Sequence, residues 1–187
     1  MLEIASAIGG LGYIVLARFQ RAEAWVFWLL SSVGYLVVFW MNELYGQSAL
    51  QLFFVASAFY GYWCWRRIAL HQNATSEGSS IAQLSREMRL LSLGAGSLGA
   101  AGGGALIFLQ TAQLSSFIDA GLASFSVVAT MLAAKKYLEC WHYWIGINSV
   151  ATIFFVTQGL HATAFLYATY CLFSVWAFTG WRKAIGR

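Results

Sequence analysis

Trp141, Trp144 and Asn148 stand at i, i+3 and i+7, which on a helix sets them within about 60° of one another. Two indole faces and an amide on one stripe suit either helix packing or a binding surface, on which the amide would both donate and accept hydrogen bonds. Asn148 falls near the middle of an apolar stretch. An amide at that depth costs free energy unless it faces a partner or a cavity. Gln51, in the outer third of another apolar stretch, is a second such amide. Paired carboxylates, Cys pairs or a His cluster are not evident, so an enzyme is not expected.

The tryptophan motif occurs twice. Shifted by 116 residues, Glu23, Trp25, Trp28, Phe39, Trp65 and Arg66 fall on Glu139, Trp141, Trp144, Phe155, Trp181 and Arg182. An ungapped match of this kind points to an internal duplication. In the first copy the stripe reads Trp25, Trp28 and Ser32, so Asn148 is where the copies differ in polarity. Gln51 is matched by Tyr167, and Glu3 by Asp119. Trp25 and Trp141 fit either an interfacial belt or the site. Trp28 and Trp144 lie deeper and fit packing or substrate contact better. Asp119, near the outer end of its span, suits either the membrane surface or an outer vestibule for a cation.

The elements that position these residues are membrane helices. With 60% hydrophobic and 10% charged residues, the chain would not stay soluble. Seven stretches can cross ~30 Å of hydrocarbon: near Leu2–Ala17, Ala24–Met41, Ser48–Trp65, Leu90–Leu109, Phe117–Ala134, Leu138–Gln158 and Ala162–Trp181. The first lacks a basic flank and a clear cleavage site and reads as a retained span. All 11 Lys and Arg lie in alternate connections or at the C-terminal tail, which sets the N-terminus outside and the C-terminus inside. The net charge of +4 thus reflects topology and gives no reason to invoke nucleic acid.

The expected architecture is one membrane domain: repeat 1 over about 1–67, a linker and helix 4 over about 68–110, and repeat 2 over about 117–183. The odd helix returns the chain to its starting side, so the copies run parallel. The one hydrophilic link, 71–89, carries Gly, Ser and Asn at its front, and Ser85–Arg89 suits a short surface helix. With no proline in the chain, mostly continuous helices and movement of one bundle against the other are expected. Neither a buried proton-relay series nor metal-ligand spacing is present, which favours facilitated diffusion without a cofactor. Gly94, Gly96 and Gly99 spell a dinucleotide fingerprint, but no strand precedes them. A small-residue face that lets helix 4 pack closely explains them better.

Gln51 in Leu50-Gln51-Leu-Phe-Phe, the Tyr60-Gly-Tyr-Trp-Cys-Trp65 run, and Lys136-Tyr-Leu-Glu-Cys-Trp-His-Tyr-Trp144 with Asn148 together resemble the Pnu vitamin transporter family across essentially the whole chain. The resemblance implies two parallel three-helix bundles joined by one helix, in an arrangement similar to full-length SWEET sugar transporters. It implies a multi-pass protein of the bacterial inner membrane, acting as an energy-independent uniporter. A cytoplasmic vitamin kinase would trap the substrate as its phosphate, coupled in function without necessarily binding. A homo-oligomer is compatible with this. Carried over residue by residue, the vitamin site comprises Gln51, Trp141, Trp144 and Asn148, with Asp119 at a family acidic position. Trp28 and Tyr167 join them through the repeat. Cys140 stands where nicotinamide riboside carriers often have Asn, and the core is compact. Both departures leave the choice of vitamin open; the compact form puts thiamine first, nicotinamide riboside second, and riboflavin or a sugar behind.

Overall fold

The computed structural model describes residues 2–43, 45–75 and 80–185. Seven helices account for nearly all of them: α1 (Leu2–Arg18), α2 (Ala24–Met41), α3 (Tyr45–Thr75), α4 (Arg86–Thr111), α5 (Ser115–Ala134), α6 (Cys140–Thr157) and α7 (His161–Ile185). The protein is an all-α membrane protein. Four helices, α2, α4, α5 and α7, are long and apolar enough to cross a membrane on composition alone. Among the others, α3 and α6 carry the polar and indole side chains noted above, for reasons the packing makes plain.

Each of α1–α3 packs on its chain neighbour, and so does each of α5–α7; α1 then meets α7, and α3 meets α5. The six helices therefore form a closed ring of two three-helix arcs joined along two seams. Helix α4 lies outside the ring, packed along α5, with its Ser92 hydroxyl 2.7 Å from the Tyr143 hydroxyl of α6. Its small residues permit this. A Cβ on Gly96 would fall 2.3 Å from the Phe125 ring, and one on Gly99 would fall 2.2 Å from Ser124 Oγ. Gly94 faces open space and takes no part.

The turns after α1 and α5 are built alike. Gln20 (φ 57°) and Lys136 (φ 56°) both adopt the left-handed conformation. In each turn the next N–H reaches back to the start of the last helical turn: Arg21 donates to Leu16 O and Tyr137 donates to Leu132 O, at 3.2 and 3.0 Å. This is the helix-ending arrangement that satisfies otherwise orphaned carbonyls.

Two expectations change. Ser85–Arg89 is not a separate surface helix: Ser85 caps α4, accepting the Met88 N–H at 3.2 Å. Helix α3 runs on to Thr75, since no Gly or Pro stands between Trp65 and Thr75 to end it earlier. The Ser76–Ser79 part of the polar link lies outside the described residues. Its continuation at 80–85 is an extended strap, with Ala82 bridged in parallel to Tyr137. Ile81 and Leu84 of that strap are buried in the core.

Candidate functional site

The ring encloses a cavity of about 710 Å³, within the roughly 300–1,000 Å³ typical of small-molecule sites. It reaches Glu3 at the start of α1, Gln47 near the start of α3, Asp119 near the start of α5 and Thr163 near the start of α7. All four lie at the end opposite the basic loops. The cavity floor is aromatic, formed by Tyr13, Trp28 and Trp144, with Trp141 reaching it from beneath. All seven residues singled out from the sequence, Trp28, Gln51, Asp119, Trp141, Trp144, Asn148 and Tyr167, line this one space. Asp119 is half-buried, which favours the vestibule over the bare membrane surface.

Trp28 and Trp144 project from the middle helices of the two arcs and meet with ring centroids 5.8 Å apart at 67°. Their surroundings differ. The Trp28 indole N–H donates to Ser57 Oγ at 3.2 Å, and Ser57 in turn donates to the Phe54 carbonyl at 2.7 Å. At the matching place beside Trp144 the chain has Phe173, and the buried Trp144 N–H has no partner among the described residues. A buried donor left without an acceptor is costly. Asn148 is buried and donates to Ser174 Oγ at a long 3.4 Å, with its amide in the cavity wall. Ser174 itself bonds the Tyr170 carbonyl at 2.7 Å. Gln51, also buried, contributes the second amide. Among the lining residues only Glu3 and Asp119 carry charge, both negative; no Lys or Arg is present.

Below the floor the basic end is closed. Trp25, Trp65, Trp141 and Trp181 are each 1% exposed or less, so Trp25 and Trp141 are not belt residues. The rings contact edge to face in matched pairs: Trp25 on Trp65 at 5.8 Å and 89°, Trp141 on Trp181 at 5.4 Å and 89°. Gly61 makes room, since a Cβ there would fall 2.3 Å from the Trp25 ring. Two indoles then cross the seams. Trp65 donates to Ala133 O at 3.0 Å and Trp181 donates to Ala17 O at 2.8 Å. Donors and acceptors are each 116 residues apart.

This ring of helices matches a known family over almost its full length. The family model described as nicotinamide mononucleotide transporter matches residues 1–183. The chain belongs to that family. Nicotinamide riboside transporter PnuC of Escherichia coli K12 is 26% identical over 188 residues, covering 89% of this chain and 78% of its own length. The Haemophilus influenzae PnuC is 26% identical over 191 residues, covering 100% and 81%. The crystal structure of the vitamin B3 transporter PnuC shares the fold, with a TM-score of 0.73 at 22% identity over 100% of this chain and 82% of that one. The chain is therefore a multi-pass membrane protein of the bacterial inner membrane and a member of a transporter family.

Sequence reasoning passed over Tyr13, Ser57 and Ser174, which support the floor and wall. Tyr13 packs on Trp28 with centroids 4.8 Å apart. The repeat offered no signal for it, because Ala129 stands at the matching position. Cys140 does not reach the cavity. It is fully buried at the start of α6, in the core beneath the floor. The Cys-for-Asn departure therefore lies outside the cavity lining.

Proposed function

We propose that the chain is a uniporter for nicotinamide riboside, with the cavity as its binding site and the basic end in the cytoplasm, so that the cavity faces outward. The observation that carries this reading is the lining: an aromatic floor, two buried amides, two carboxylates and no base. A pyridinium cation gains ~0.5–2 kcal/mol on an indole face, with the larger values where water is excluded. The amides suit a carboxamide and ribose hydroxyls, and the carboxylates at the mouth attract a cation. A mononucleotide would bring a phosphate into a space with no cationic partner and two like charges, so the riboside is favoured over the phosphorylated form.

Thiamine, placed first on sequence grounds, gives way to nicotinamide riboside. The curated relatives named above are nicotinamide riboside transporters. Uniport is supported by the placing of the acids and bases among the described residues: Glu3 and Asp119 stand at the mouth and Lys136 and Glu139 at the basic end, with no acid or base series between them to relay protons. Phosphorylation inside the cell would then keep the vitamin in. We also infer that the two arcs are copies of one three-helix unit, supported by the matched turns and the matched Trp65–Ala133 and Trp181–Ala17 bonds.

Calorimetric titration of the purified protein with nicotinamide riboside, nicotinamide mononucleotide, thiamine and riboflavin tests the substrate. Binding of the riboside alone is expected. Tighter binding of thiamine would replace it as substrate, and tighter binding of the mononucleotide would overturn the charge argument. In proteoliposomes, labelled riboside should equilibrate without any ion gradient. Gradient-driven accumulation of the unmodified vitamin would refute uniport.

A further inference from the structure

The strap at 80–85 joins the two arcs in a way no repeat can supply, because it comes from the linker. Lys136 Nζ donates to Ser80 Oγ at 2.9 Å, and Ser80 Oγ donates to Gln20 Oε1 at 3.1 Å. Gln20 and Lys136 occupy equivalent left-handed turns, one in each arc. Beside this node, Ile81 and Leu84 pack into the same buried cluster as Trp25, Trp65, Trp141 and Trp181. Backbone bonds hold the strap against the second arc: Ala82 N–H to Lys136 O at 3.1 Å and Leu138 N–H to Ala82 O at 2.9 Å. Glu139 accepts the Leu84 N–H at 3.0 Å and pairs with Arg89 at 2.8 Å.

We propose that the Gln20–Ser80–Lys136 node is the latch of the inner gate, and that it must break before the basic ends of the two arcs can part. This inference rests on the transporter reading, since it requires a closed and an open state of the basic end. The tryptophans seal the path, while the node ties the two turns that would have to separate. The chemistry of the node keeps it releasable. Lys136 is only 2% exposed, and it forms no ion pair among the described residues. Its partners are a hydroxyl, an amide oxygen and the Trp65 face, 5.0 Å from Nζ. A desolvated ammonium held by neutral groups regains its hydration when the gate opens. That gain offsets the lost hydrogen bonds, so the closed state is held by a narrow margin. A carboxylate at position 80 would bind more firmly and release less readily.

Cysteine accessibility tests the latch without any vitamin present. Ser126→Cys, which reports from the cavity wall, is placed in a background with Cys64, Cys140 and Cys171 replaced by alanine. A membrane-impermeant thiosulfonate reagent is applied to right-side-out or inside-out vesicles. The reporter protein should label readily from the cavity side and slowly from the basic side. Adding Ser80→Ala or Lys136→Gln should speed basic-side labelling about tenfold, as loss of a charge-assisted hydrogen bond predicts, and slow labelling from the cavity side. Ser80→Ala removes one hydroxyl and keeps the result interpretable if Lys136→Gln does not fold. Slow basic-side labelling at one unchanged rate in reporter and Ser80→Ala proteins would overturn the latch and leave the transporter reading standing. No basic-side labelling in any variant at long times would overturn both.

Discussion

Trp28 and Trp144 meet edge to face at 5.8 Å across the junction of the two arcs, although 116 residues separate them in the chain. Asn148 against Ser32 marks the second copy as the more polar half, which by itself biases a site toward Trp144. The contact removes that bias, because both rings form one floor. We expect Trp28→Ala and Trp144→Ala to weaken riboside binding by similar amounts, about 2 kcal/mol or more each where the cation is desolvated. Titration of both variants checks this, and a loss confined to Trp144→Ala would return the site to one arc.

Asn148 sits in the wall with one long bond to Ser174. Asn148→Ala should cost ~0.5–1.5 kcal/mol of riboside affinity, more if a ligand group is left buried and unpaired. Ser174→Ala should cost less, since Ser174 spends its proton on the Tyr170 carbonyl. Equal affinities for the Asn148 variant and the parent would remove the amide from the site.

The seam tryptophans offer a paired test. Trp65→Phe and Trp181→Phe each delete one indole donor to a carbonyl that keeps a second donor, the Lys136 or Gln20 N–H. Because no acceptor is stranded, each should destabilise the folded protein by only ~1 kcal/mol from the hydrogen bond, plus the volume lost from the core. Similar shifts in thermal unfolding are expected for the two. A severalfold difference would mean that the two seams are not mechanically equivalent.

Lys136 gives the stability a pH signature. Burial pushes its ammonium down from the ordinary 10.5 to about 8. The folded protein therefore holds this proton less tightly than the unfolded chain. Between about pH 8 and 10.5 the unfolded state carries more protons, so this residue makes stability rise with pH across that window. Thermal unfolding of the parent and Lys136→Met at pH 7 and again near the top of the window should show the parent gaining on the variant. A parent that loses ground would reverse the sign and place a stabilising anion beside Lys136.

The loop at 80–85 and the C-terminal end of α7 should react with impermeant reagents only from the cytoplasm, and Gln47 only from outside. Labelling of introduced cysteines in intact cells reads this directly. Reaction at 80–85 from outside would invert the outward-facing assignment.

The seven helices and the relation between the two tryptophan motifs were legible in the sequence because each depends on local or periodic signals, whereas the ends of α3 and α4 were not. Twenty apolar residues in lipid have few choices but a helix, since every backbone polar group must find its partner within the segment. Trp144 and Asn148 stood out because an amide at mid-span demands a partner or a cavity, and both line the cavity. What a residue touches across the ring is another matter. The sequence did not separate belt from core for Trp25 and Trp141, because amphipathic indoles suit both; burial beneath the floor decided it. Cys140 looked informative next to Trp141, yet a step of one residue on a helix turns a side chain by about 100°, and it points into the core. The strap was the least legible part. Ser80–Ser85 reads as polar link, and only docking between the two arcs gives Ile81 and Leu84 a core and Lys136 a partner. Such contacts arise from packing between segments distant in the chain, and no local pattern encodes them.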